Sequence, residues 1–253
     1  MRLPRLTIGQ QHYTVKGILF DKDGTLLDFV ALWGTWCQFA YAHFAERFDG
    51  PIAPLDQLWG LKSDGAGQVV DYDCNGPVAM GSIGDLLSTL AWQGYQQGQP
   101  WGESIRLARA CKEAADAEIQ RIRPARPLPG VVDFVHQCYG LGLLLGVVTA
   151  DETEDSKRHL EWMGIRPLFA SVIGDDAVER GKPFPDMVYK ACGELDLAPR
   201  DVAVIGDTNG DMQMGNAAGA AVTIGLAPSE HEVSLLGDAK VIVSAYDQII
   251  LEK

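Results

Sequence analysis

Between Gly17 and Leu26, the apolar run Ile18-Leu19-Phe20 stops abruptly at two carboxylates, Asp21 and Asp23, followed by a Gly24-Thr25 turn. Three large apolar residues bounded this way read as a short buried strand. In an extended chain residues i and i+2 point the same way, so Asp21 and Asp23 are expected to leave the strand end together. Close carboxylates repel and raise each other's proton affinity. Such a pair at a buried strand end calls for a cation or a proton. An ordinary turn explains Asp23-Gly24 alone, but not the segments that follow.

Residues 143–148 form a second apolar run, closing in Thr149-Ala150-Asp151. Residues 202–205 form a third, closing in Gly206-Asp207-Thr208-Asn209-Gly210-Asp211. Between them lies Gly181-Lys182-Pro183-Phe184-Pro185-Asp186, a lysine in a loop that opens a helix. An acid pair, a hydroxyl, a lysine and a second acid pair therefore appear in that order. Sites in open parallel α/β sheets form beyond the carboxyl ends of the strands, so the set is expected to converge there.

The rest of the chain supports that sheet. After residue 130, helices are expected at 131–139, 153–163, 186–195 and 209–218, alternating with strands at 143–148, 170–173, 202–205, 221–224 and 241–243. This alternation indicates a parallel sheet covered on both faces. Residues 28–122 read differently. Phe29, Leu32, Trp33, Trp36, Phe39, Phe44 and Phe48 recur at helical spacing, residues 51–80 read as turns or short helices, and 83–92 and 103–122 as two more helices. No strand-like run interrupts this stretch, and residues 123–130, with three prolines, read as a linker. The expected fold is α/β: a Rossmann-like parallel-sheet core, residues 1–27 and 125–253, carrying a helical insertion at 28–124. Residues 1–14 read as a flexible or edge segment. Five of the six tryptophans, Trp33, Trp36, Trp59, Trp92 and Trp101, lie in the insertion and are expected to form its core.

Composition narrows the partners. The 21 basic and 34 acidic residues leave a net charge of −13, which argues against nucleic acid or an anionic membrane as partner. An anionic substrate must then be received by a local cation. The five cysteines are scattered and form no Cys-x-x-Cys pair, as expected of free thiols in a reducing compartment. Residues 141–150, the longest apolar stretch, are too few to span a bilayer. No signal-peptide pattern opens the chain, and a cytoplasmic location is expected.

The four segments resemble the four motifs of the haloacid dehalogenase-like hydrolase superfamily. Asp21-x-Asp23-Gly-Thr25 matches the first motif, Thr149 the second, Lys182 the third, and Gly206-Asp207-x-x-x-Asp211 the fourth. The overall look is closest to the phosphoglycolate phosphatase-like and β-phosphoglucomutase-like branch. The resemblance implies that the insertion is a helical cap that opens and closes over the site. It also implies that Asp23 ligates a metal through its backbone carbonyl, and an acid at that place separates the phosphatases from the dehalogenases. Ala150 departs from the Asn that many relatives carry.

The residues themselves suit phosphoryl transfer, which demands a nucleophile, charge neutralisation and positioning. Asp21 is the expected nucleophile and Asp23 the general acid and base. Mg²⁺, a hard dication that keeps several waters, would relieve the repulsion between Asp21 and a phosphate, with Asp207 as second ligand and Asp211 ligating directly or through water. The alternative for Asp207 and Asp211 is an N-cap and a first-turn acid. Thr149, helped by the Ala150 N–H, would hold a phosphoryl oxygen, and Lys182 would neutralise charge on Asp21. The expected activity is Mg²⁺-dependent hydrolysis of a small phosphate ester through an aspartyl phosphate. A phosphomutase on the same core is the alternative. A phospho-receiver module is disfavoured, because here the acid pair ends the first strand and a large insertion follows it.

Overall fold

The computed structural model describes residues 4–252, so residues 1–3 of the expected edge segment lie outside it. The chain forms two compact units, one of Met1–Asp28 with Ala125–Lys253, the other of Phe29–Pro124. In chain order the first unit opens with strands β1 (Arg5–Ile8), β2 (Gln11–Thr14) and β3 (Gly17–Phe20). The second unit holds α1 (Thr35–Ala45), α2 (Leu55–Trp59), β4 (Leu61–Ser63), β5 (Val69–Tyr72), α3 (Pro77–Met80), α4 (Ile83–Gln96) and α5 (Trp101–Ile122). The first unit resumes with α6 (Val131–Gly140), β6 (Leu144–Val148), α7 (Thr153–Trp162), β7 (Ser171–Ile173) and α8 (Asp186–Leu195). It ends with β8 (Val202–Gly206), α9 (Asn209–Ala218), β9 (Val222–Leu226), α10 (Glu230–Leu235), β10 (Val241–Val243) and β11 (Ile249–Glu252).

The first unit is built on a parallel six-stranded sheet, order β10–β9–β8–β3–β6–β7. Strand β3 is central, with Phe20 in register with Val147 of β6 and Ile205 of β8. Its side chains alternate between two buried layers, as period 2 requires. Ile18 and Phe20 pack with Leu145, Val147 and Ile205, and with Phe134, Val135 and Leu160 from α6 and α7. Leu19 packs on the other side with Val148, Val202 and Val204, and with Met187, Val188 and Leu195 from α8 and Met214 from α9. Burial on both faces explains why these strands are continuous apolar runs. The sheet order, with β3 flanked by two later strands, brings the carboxyl ends of β3, β6 and β8 to one edge.

Other elements were not expected. A second, antiparallel sheet of order β11–β1–β2 uses residues 5–14, with Ile8 opposite Gln11 across a tight turn at Gly9 (φ +57°). Only β1 of that hairpin is largely buried, so β2 offers no apolar run to read. The expectation of no strand within 28–122 is corrected by the β4–β5 pair. These strands have three and four residues and are mostly exposed, which removes the pattern that marks a strand. Helix α10 follows a Ser229–Glu232 capping box.

In the second unit Trp36 and Trp59 are buried, as expected for its core. Trp59 Nε1 donates to Thr89 Oγ1 at 2.9 Å and Trp36 Nε1 to Asp116 Oδ1 at 2.7 Å. Trp92 and Trp101 are instead 49% and 46% exposed, which corrects their assignment to that core. They sit with Tyr95 in an aromatic cluster near the α4–α5 turn, ring centroids 5.5 and 6.4 Å apart. Residues 30–34 wind as a π-helix ahead of α1.

Phe20 ties the central strand to its cover, making edge-to-face contacts with Phe134 at 6.3 Å and Phe169 at 5.9 Å. Phe20→Ala is therefore expected to cost about 3–5 kcal/mol of stability. Urea denaturation checks this, and a loss below about 1 kcal/mol would contradict the packing described.

Candidate active site

Asp21 lies one residue past β3, and its backbone N–H donates to Ile205 O of β8 at 2.8 Å, which anchors the strand end. Its carboxylate turns to Lys182, with Nζ 2.5 Å from Oδ1. The same ammonium lies 2.6 Å from Asp211 Oδ1. Oxygens of Asp21, Asp207 and Asp211 all lie within 4.8 Å of one another. The first, third and fourth segments thus meet in space, as the strand ends implied.

Local structure holds each of these groups. Thr208 caps α9 and Asp211 closes the capping box, its Oδ2 accepting from Thr208 N–H at 3.1 Å and Thr208 Oγ1 at 2.6 Å. Asp211 is therefore also the first-turn acid of the alternative reading, one oxygen on the helix cap and the other on Lys182. Asp207 is not the N-cap; Thr208 takes that place. Asp207 Oδ1 accepts from the buried Thr25 hydroxyl at 3.1 Å. Two glycines make room. Gly24 (φ +77°) lies so close to the Asp207 carboxylate that a Cβ there would collide with it, and a Cβ on Gly206 would collide with the Asp211 side chain.

Burial pushes the Asp21 carboxyl up to about 7; Lys182 opposes this, while Asp211 and Asp23 add to it. Asp207 is pushed well above its ordinary value by burial and then by Asp21 and Asp211. Burial alone would lower Lys182, but Asp21 and Asp211 together raise it above the ordinary lysine value. One lysine therefore leaves three gathered carboxylates under-compensated. Their donors are hard oxygens, the set that Mg²⁺ prefers, so the residues present fit the expected ion.

Asp23 has a cation of its own. Asp23 Oδ1 accepts from Lys22 Nζ at 2.8 Å; its carboxylate is not among the three gathered oxygens but is near enough to Asp21 to raise that carboxyl's proton affinity. The residue between two acids turns out to be a lysine with no exposed side chain, which compensates one of them. Thr149 is fully buried at the end of β6, and its Oγ1 accepts from Asp151 N–H at 3.2 Å. Ala150 beside it is exposed. Among the described residues, no side-chain hydrogen bond or ion pair joins Thr149 or Ala150 to the carboxylate group. Thr25, Thr208 and Lys22, which bond Asp207, Asp211 and Asp23, were given no role from the sequence. The capping box Thr208-x-x-Asp211 was legible in the sequence; the Thr25–Asp207 bond, across 182 positions, was not.

The profile of the haloacid dehalogenase-like hydrolase family matches residues 15–219. The chain belongs to this family and is an enzyme, a hydrolase. It is 26% identical over 238 residues to a phosphoglycolate phosphatase of Salmonella typhi, covering 93% of this chain and 91% of that protein. The fold matches the crystal structure of a predicted phosphoglycolate phosphatase from Haemophilus somnus 129PT, with a TM-score of 0.71, 19% identity, and coverage of 92% of this chain and 95% of that one. It also matches a β-phosphoglucomutase from Clostridium difficile, with a TM-score of 0.65, 16% identity and 93% coverage of both chains. Among the described residues no helix is long and apolar enough to cross a membrane.

The electrostatics predict a pH-dependent metal response. The folded value of Asp21, about 7, lies above its ordinary 3.8, so the metal-free fold keeps a proton that the unfolded chain releases. The stability this group contributes is full below about pH 4 and is lost as pH rises through about 7. A divalent cation bound at Asp21 would replace the proton and remove that loss. Millimolar Mg²⁺ is therefore expected to raise Tm more at about pH 8 than at about pH 5.5, as read by calorimetry. An equal shift at both pH values would contradict the assignment.

Proposed function

We propose that this enzyme is a Mg²⁺-dependent phosphatase that hydrolyses a small phosphorylated metabolite through an aspartyl phosphate on Asp21. The observation that carries the reading is that two acids at one strand end have different cation partners. Asp21 pairs with Lys182 within the carboxylate group, and Asp23 pairs with Lys22. Nucleophile and proton carrier are then distinct groups with distinct surroundings, which a two-step displacement requires.

Asp21 attacks phosphorus, and the leaving alkoxide takes the Asp23 proton. Asp23 then accepts a proton from the water that attacks the phosphorus of the aspartyl phosphate, releasing phosphate and restoring Asp21. Lys182 keeps Asp21 compensated throughout, and the Thr149 hydroxyl with the Ala150 N–H holds phosphoryl oxygens. Asp21, Asp207 and Asp211, with the Asp23 carbonyl, would hold Mg²⁺, which would supply the positive charge that lets a carboxylate meet a phosphate dianion.

Hydrolysis is favoured over phosphoryl return to the product because relatives about a quarter identical over most of the chain are phosphoglycolate phosphatases. Phosphoglycolate is accordingly the first substrate to assay. The helical unit, inserted in sequence directly after the strand end that carries Asp21 and Asp23, is assigned the role of a cap that selects small substrates. Folded phosphoproteins are expected to be poor substrates beside phosphoglycolate or sugar phosphates, and comparable rates would overturn the cap assignment.

Turnover is expected to vanish in EDTA and to return with Mg²⁺; full activity after rigorous chelation contradicts the reading. Asp21→Asn should abolish both turnover and covalent labelling, because an amide is not a competent nucleophile. Asp23→Asn should lose roughly 10²–10⁴-fold in turnover. Rapid-quench mass spectrometry is expected to place the added phosphoryl mass on the Asp21 peptide; label on a Ser, Thr or His would sink the mechanism.

A further inference from the structure

Lys22 is wholly buried, and an ammonium carries three donors and no acceptor. Three groups surround its Nζ: Asp23 Oδ1 at 2.8 Å, Asp151 Oδ2 at 3.0 Å and His159 Nδ1 at 3.2 Å. Lysine can only donate, so His159 Nδ1 accepts from Lys22 when it carries no proton; the same nitrogen also lies 3.4 Å from Asp151 Oδ2, to which it donates when it does. Burial and then Lys22 lower its proton affinity, against the opposing pull of Asp151. Asp151 is itself anchored, its Oδ1 accepting from Glu152 N–H at 2.7 Å at the start of α7, the helix that carries His159. Burial would raise Asp151, but Lys22 and then His159 hold it well below the ordinary carboxylate range.

The chain therefore ties Asp23 to the β6–α7 connection through a buried cation. This matters for chemistry because Asp23 also repels Asp21, and contributes to its raised proton affinity. Without a partner of its own, the Asp23 carboxylate would face two other acids, Asp21 and Asp151. Lys182 is shared between Asp21 and Asp211; Lys22 compensates Asp23.

We infer that Lys22 is a positioning residue for the reaction, fixing the Asp23 carboxylate, from an anchor made by Asp151 and His159, in the orientation in which it exchanges protons with leaving group and water. The inference rests on the phosphatase reading above. It predicts a loss selective for steps that need proton transfer, which a purely structural ion pair would not produce.

Lys22→Met alone would strand Asp151 as a buried unpaired charge and endanger the fold. The test variant is therefore Lys22→Met with Asp151→Asn, where the Asn keeps an oxygen for Glu152 N–H and an amide donor for His159 Nδ1. With saturating Mg²⁺, kcat/KM is measured for p-nitrophenyl phosphate, whose leaving group needs little protonation, and for phosphoglycolate, an alkyl ester that needs it. Wild type and Asp23→Asn serve as references. The double variant is expected to lose roughly 10- to 100-fold on the alkyl ester and less than about threefold on the aryl ester. Phosphoenzyme should also accumulate on Asp21 in rapid-quench mass spectrometry, because water is no longer deprotonated well. Equal losses on both esters, or unchanged kinetics with only a lower Tm, would overturn the inference while leaving the phosphatase reading in place. A wild type with no Mg²⁺-dependent phosphatase activity would overturn both. Should the double variant not fold, Asp151→Asn alone, which loosens Lys22 but keeps its charge, is read in the same way; a loss independent of the leaving group would again overturn the inference.

Discussion

The contact on which the site depends is the Lys182 ammonium, buried between Asp21 and Asp211 at 2.5 and 2.6 Å. It joins the end of the central strand to the first turn of α9, two places 190 positions apart in the chain. Burying a carboxylate without a counter-charge is costly, so the lysine makes the cluster tolerable. With Asp207 present it does not neutralise it. That residual deficit of positive charge is what would suit the site to a divalent cation and then to a phosphate, as the proposed function requires. Under the proposed function, a strongly acidic protein would receive an anionic substrate by a local attraction that owes nothing to the overall charge.

The fold delivers these groups by placing β3 between two strands that come much later in the sequence. Each apolar run is buried on both faces, so its polar residues can appear only at its end. The carboxyl ends of β3, β6 and β8 share one edge, and chemistry collects there. The glycines at 24 and 206 contribute by absence, since side chains at either place would displace Asp207 or Asp211. The capping box at Thr208 and Asp211 does two things at once, closing a helix end and aiming the other carboxylate oxygen at Lys182.

What was legible in the sequence follows from this physics. Strands β3, β6 and β8 are unbroken apolar runs, and helices α8 and α9 were expected at their observed bounds because their periodicity and flanking turns are strong. Strands β2, β4 and β5 were illegible because they are short and largely exposed, with no alternation to mark them. Asp21, Lys182, Asp207 and Asp211 could be singled out because order and residue type point to one chemistry, and the structure brings these four together. The Lys22–Asp151–His159 group was not found, since it pairs residues up to 137 positions apart and its lysine stood as an unspecified residue between two acids. Trp92 and Trp101 were misplaced because size and apolarity do not say which face of a helix is covered.

The central claim is that Asp21 accepts the phosphoryl group beside a cation held by its neighbouring carboxylates. The most direct test is a crystal structure with Mg²⁺ and beryllofluoride, a mimic of a transferred phosphoryl group. The account predicts beryllofluoride bonded to an Asp21 carboxylate oxygen, with the cation contacting Asp21 and Asp207. Beryllofluoride on another residue, or a cation bound away from these two carboxylates, would contradict it.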